Sequence, residues 1–285
     1  MAFRVNSNSG RIPLSDLHNP LLDPTLPAGL PPENPPLARV PAENPLWGIV
    51  EIVGIVVVGF AALFFLLIVV IALAHRFLYP QESFMQVPQD HPILLIATQT
   101  LDYLVVVLFM AFLVRRTSSQ SFAGGIRWNW PANPWAYLMG GVCLSLSLVF
   151  VEHFLPIPKD LPMDRFFRTP LEAWGVAVFG LFFAPLIEEL FFRGFLYPVL
   201  ARRLGMVASI VITALGFGLV HASQLGHAWG PVLIIFLVGV ALTTVRAVTK
   251  SVAAGWLMHF AYNGTIFSMM FIATSGFRHM ERLTQ

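Results

Sequence analysis

The chain carries ionisable and amide side chains at helical spacing inside sequence that is otherwise strongly apolar. In "APLIEELFFRG" (184–194), Glu189 and Arg193 are i and i+4 on a helix and can pair, whereas Glu188 is rotated by about 100° and points elsewhere. "FGLVH" puts Phe217 and His221 on one face, flanked by Gly216 and Gly218, which permit close helix approach. "HFAYN" does the same for His259 and Asn263. Each ionisable group placed within a membrane span costs at least about 2.5–3.5 kcal/mol, so such residues are functional candidates by default. A carboxylate in a dry, apolar pocket takes up a proton more readily than one in water, which suits Glu188 to activate water as a general base. A nearby histidine can align that water or protonate a leaving amine, and His259 with Asn263 can donate to a developing oxyanion. Those parts suffice to hydrolyse an amide without a serine or cysteine nucleophile. The single cysteine, Cys143, lies in an apolar segment with no disulfide partner in the chain and is expected to be a small buried hydrophobe.

Any one of these pairs could be interhelical hydrogen-bond glue. Depth argues for a shared cavity instead. Counted along each helix from its proposed cytoplasmic end, Glu188 lies about 18 Å in, His221 about 22 Å and His259 about 12 Å. All three fall in the middle of a hydrocarbon layer about 30 Å thick. Three other readings compete. Two glutamates and two histidines could hold zinc with one position open, although HExxH spacing is lacking and Asn263 is a poor zinc ligand. Midplane carboxylates and histidines also serve ion-coupled transporters, but the hydropathy shows no paired inverted halves. A non-catalytic membrane scaffold or immunity protein could retain the cavity. Asp102 would lie level with Glu188 and could line the cavity or pair with Arg193.

The elements that must position these groups are membrane helices. The composition is 56% hydrophobic and 11% charged, with a mean hydropathy of +0.73, which describes a polytopic membrane protein. A net charge of +2 with scattered basic residues gives no basis for nucleic-acid binding. Residues 1–45 are Pro-rich and are expected to form a disordered tail. Apolar runs predict seven spans, near 47–75, 92–114, 134–155, 171–200, 206–222, 231–247 and 251–273. Pro185 could break the fourth into two pieces and make eight. N-terminal spans (46–155), a catalytic core (156–273) and a C-terminal tail (274–285) complete the division. The bias of Lys and Arg among the loops favours a cytoplasmic N-terminus. The fold class expected is therefore an all-α integral membrane helix bundle.

"EELFFR", "FGLVH" and "HFAYN", in that order on successive membrane helices, resemble the three motifs of the CPBP (CAAX protease and bacteriocin-processing) intramembrane glutamic endopeptidases. That family includes the type 2 CAAX prenyl proteases. The resemblance runs over roughly residues 160 to 272. It implies an all-helical membrane peptidase in which Glu188 activates water with help from His221, and His259 and Asn263 form the oxyanion hole. Glu189 and Arg193 support the site, and Phe217 accompanies His221 in its motif. No cofactor or metal is implied. The implied partners are the lipid bilayer and a membrane protein or lipidated peptide substrate, and a bacterial plasma membrane is the expected location. Eukaryotic members process prenylated CaaX peptides, whereas many bacterial relatives act on other substrates.

Overall fold

A computed structural model describes residues 44–158 and 160–279. The tail expected over 1–45 thus lies outside the described residues except for its last two positions, as does 280–285. The described residues form no strand, and seven long helices account for most of them. We label these α1 (Ile49–Phe77), α2 (Ile93–Thr117), α3 (Pro134–Glu152), α4 (Pro170–Leu204), α5 (Met206–Val220), α6 (Trp229–Thr249) and α7 (Val252–Ala273). The expected all-α membrane bundle is what forms. By length and composition α1, α2, α3, α4 and α6 can each cross a membrane.

The other two expected spans differ from their sequence reading. Helix α5 is apolar but has only 15 residues, a rise of about 22 Å that falls short of the hydrocarbon thickness. Its helix stops at Val220, so His221 caps it instead of lying within it. Helix α7 is long enough at 22 residues, but the polar residues it brings to the site keep it out of the strongly apolar set.

Helix α4 runs continuously through Pro185, so the two-piece alternative is not what the chain adopts. A capping box starts it: the Thr169 hydroxyl accepts from the Glu172 amide, and the Thr169 amide donates to the Glu172 carboxylate at 3.0 Å. Two π-helical stretches, Phe179–Phe183 and Glu189–Leu196, interrupt its α-helical hydrogen bonding. The first ends two residues before Pro185. It widens the turn that a proline ring would otherwise crowd, so the missing N–H is absorbed without a break.

Packing surrounds α4 from both sides. One core joins Ile52 and Ile55 of α1, Val106 and Met110 of α2, and Ile187, Leu190 and Phe195 of α4. A second joins Phe192 of α4 with Leu148, Phe217, Val238, Leu242 and Tyr262 from α3, α5, α6 and α7. Close helix approach rests on glycine. A Cβ on Gly141 of α3 would stand 2.2 Å from the Met258 carbonyl of α7, and one on Gly239 of α6 would stand 3.0 Å from the Ala214 backbone of α5. The outward faces are apolar: Phe60 and Phe64 of α1 are 72% and 68% exposed. Such a continuous apolar exterior suits lipid as the surrounding solvent. Cys143 belongs to that exterior. It is exposed on α3, contrary to the expected burial, because it falls on the side of α3 away from Gly141 and α7.

Candidate active site

The centre of the bundle is an ion pair buried completely. Glu189 and Arg193 are both 0% exposed, and Arg193 Nη1 donates to Glu189 Oε1 at 2.9 Å across one turn. The remaining guanidinium nitrogens are used as well. Nε donates to the Thr243 hydroxyl at 3.2 Å and Nη2 to the Gly239 carbonyl at 3.2 Å, both on α6. The Phe217 ring lies 4.5 Å from the guanidinium carbon, a cation–π contact. Arginine suits this position because its planar fork reaches three acceptors at once. On the other side, a Cβ at Gly255 would lie 2.6 Å from Glu189 Oε2. Only glycine lets α7 pass this close to the carboxylate.

That pair orients a histidine. His259 Nδ1 lies 3.1 Å from Glu189 Oε1. A carboxylate paired with arginine can only accept, so the imidazole donates from Nδ1 and turns Nε2 the other way. Nε2 faces Glu188 Oε2 at 3.7 Å. His221 is fixed on the same principle by a different partner. Its Nδ1 donates to the Phe217 carbonyl at 2.7 Å, satisfying a backbone group at the end of α5, and its Nε2 faces Glu188 Oε1 at 3.6 Å. Each carboxylate oxygen of Glu188 thus faces one imidazole nitrogen at a separation just beyond a direct hydrogen bond. Phe217 unifies the arrangement: besides Arg193, its ring lies 4.9 Å from that of His221 and 5.8 Å from that of His259.

These groups open into a cavity of about 680 Å³. Glu188, His221, His259, Asn263 and Phe217 line it, while Glu189 and Arg193 stand behind its wall. Asn263 Nδ2 donates to the Gly180 carbonyl of the first π stretch at 2.7 Å. One amide hydrogen is therefore committed and one remains. The oxyanion role implied for His259 acquires a condition: with Nδ1–H given to Glu189, Nε2 carries a proton only in the imidazolium form.

Sequence reasoning missed part of this wall. Gln99 and Tyr103 of α2 line the cavity, as does the 3₁₀ turn Pro162–Phe167, whose Met163 amide donates to the Gln224 carbonyl at 3.2 Å. Tyr103 stacks on Phe179 at 5.4 Å. Gln99 and Tyr103 are i and i+4 on one face, a signal that was readable within "TQTLDY" (98–103). Asp102 does not pair with Arg193 and does not line the cavity. It is buried and accepts a hydrogen bond from Gln99 Nε2 at 3.1 Å. Thr243, Gly239 and Gly255 carried no signal of their own, since each matters only through a neighbour on another helix. Among the described residues, no group of three or more His, Cys, Asp or Glu side chains is gathered in a way that could hold a metal ion.

The family model described as "Type II CAAX prenyl endopeptidase Rce1-like" matches residues 170–265. The matched segment is somewhat shorter than the 160–272 of the motif resemblance, begins at the first residue of α4 and ends two residues beyond Asn263 in α7. That match, over about a third of the chain, is consistent with a likeness to the CPBP/CAAX protease family. Helices α1 to α3 lie outside it. No curated protein and no solved structure matches the chain.

Proposed function

We propose that the chain is a metal-independent glutamate endopeptidase that cleaves a peptide bond of a membrane-associated substrate, of which a prenylated CaaX-type peptide is one candidate. The observation that carries this reading is the Glu188 carboxylate, flanked by the Nε2 atoms of His221 and His259 at 3.6 and 3.7 Å inside a large cavity. Glu188 takes a proton from water and the oxygen attacks the scissile carbonyl. The free amide hydrogen of Asn263 and a protonated His259 donate to the oxyanion. Collapse of the tetrahedral species expels the amine, to which the proton taken up by Glu188 returns, so one water yields one acid and one amine. Glu189 and Arg193 do not touch substrate and hold His259. The reading extends to a bacterial plasma membrane with a cytoplasmic N-terminus.

A cleavage assay in detergent with a library of membrane peptides, prenylated and unmodified, tests it. Wild-type protein is expected to cut at least one peptide class, and Glu188→Ala and His221→Ala are expected to lose about 10²–10⁴ in rate. Activity that disappears on chelation and returns with zinc would replace this mechanism by a metal-dependent one. Full activity in Glu188→Ala would end it.

A further inference from the structure

We infer that Pro185 is a positioning residue for Asn263, acting through the backbone N–H that proline lacks. The inference rests on the proposed oxyanion role of Asn263 and explains how that side chain is held. In the first π stretch the Ala184 amide donates to the Phe179 carbonyl, five residues back. The next bond in the same ladder would run from the amide of residue 185 to the carbonyl of Gly180. Residue 185 is proline, so that carbonyl receives no bond from it. A backbone carbonyl inside a membrane bundle needs a donor. Asn263 Nδ2 supplies it at 2.7 Å from α7.

The local packing is built for this contact. A Cβ on Gly180 would stand 2.8 Å from the Phe267 ring of α7, and one on Gly264 would stand 3.4 Å from Leu181 of α4. Two glycines thus bring α7 against the π stretch beside the Gly180 carbonyl. With its nitrogen held by Gly180, the Asn263 amide has one defined orientation and presents its second hydrogen from a fixed place. An N–H at position 185 would compete for the same carbonyl. Asn263 would then be free to rotate. Proline here trades a helix bond for a fixed side chain on a neighbouring helix.

The test is Pro185→Ala, compared with Asn263→Ala and the double variant. Replacing a helix-interior proline favours the helix, so thermal stability in detergent is expected to stay level or rise. Two readouts should nevertheless move. The side-chain amide protons of Asn263, identified in ¹⁵N-labelled protein by their loss in Asn263→Ala, should be protected from exchange in wild type and exchange freely in Pro185→Ala. On a cleaved peptide, kcat should fall by about tenfold to a hundredfold with KM unchanged, as for a misplaced catalytic group. Asn263→Ala should lose about 10²–10³ in kcat, and the double variant should be no worse than Asn263→Ala alone. Unchanged amide protection in Pro185→Ala overturns the inference even if no peptide is cleaved. So does a wild-type kcat, or a loss that multiplies fully onto that of Asn263→Ala.

Discussion

At the scale of single residues, the site is a chain of dependence from Arg193 outward. Arg193 holds Glu189, Glu189 orients His259, and His259 with His221 faces Glu188. Arg193→Met would leave Glu189 buried without its partner and is expected to cost about 3–5 kcal/mol, read as a large fall in the unfolding temperature in detergent. Arg193→Lys should fall between, because one ammonium cannot satisfy Glu189, Thr243 and Gly239 together. Gly255→Ala drives a methyl to 2.6 Å from Glu189 Oε2. Overpacking of this kind costs about 1–3 kcal/mol, and the displaced carboxylate should take His259 with it, lowering cleavage as well as stability. The ion pair and the separate aim of Glu188 were legible in "EELFFR", because helical spacing alone puts Arg193 beside Glu189 and turns Glu188 away. Gly255 was not legible, since nothing along its own helix reveals a carboxylate arriving from α4.

At the scale of elements, what matters is where helices stop, widen or touch. The sequence reads 206–222 as one span, yet α5 ends at Val220 and the His221 imidazole satisfies a carbonyl at that end. Hydropathy does not locate such an end sharply, because no proline and no Asp, Glu, Lys or Arg stands between Val220 and Pro231. The π stretches of α4 were equally hidden. Pro185 signalled an irregularity without saying whether the helix would break or widen. The α3–α7 contact carries a separate prediction. A Cβ at residue 141 meets the Met258 carbonyl at 2.2 Å and the Ala261 Cβ at 2.8 Å, and neither can retreat without moving α7. Gly141→Ala should therefore destabilise the protein by about 1–3 kcal/mol and reduce cleavage, since His259 follows Met258 directly. An unfolding curve and a cleavage rate equal to wild type would show that α3 does not brace the site.

At the scale of the whole molecule, an apolar exterior encloses a polar centre, and the fold class was legible because composition alone demands lipid. The number of crossings is less plainly written, given one short helix and one of mixed polarity. Five helices separate the loop after α2 from the segment after Ala273, so reporter tags at those two places are expected on opposite faces of the membrane. Tags on the same face would mean that α5 or α7 does not cross. Through whichever face the cavity is reached, the central claim concerns Glu188 and water. Single-turnover cleavage in H₂¹⁸O tests it most directly, with mass spectrometry of both the released peptide and the protein. Direct attack by water activated at Glu188 predicts one ¹⁸O in the new carboxyl group of the product and none in the protein. Label appearing on Glu188, or a covalent peptide adduct on the chain, would contradict it.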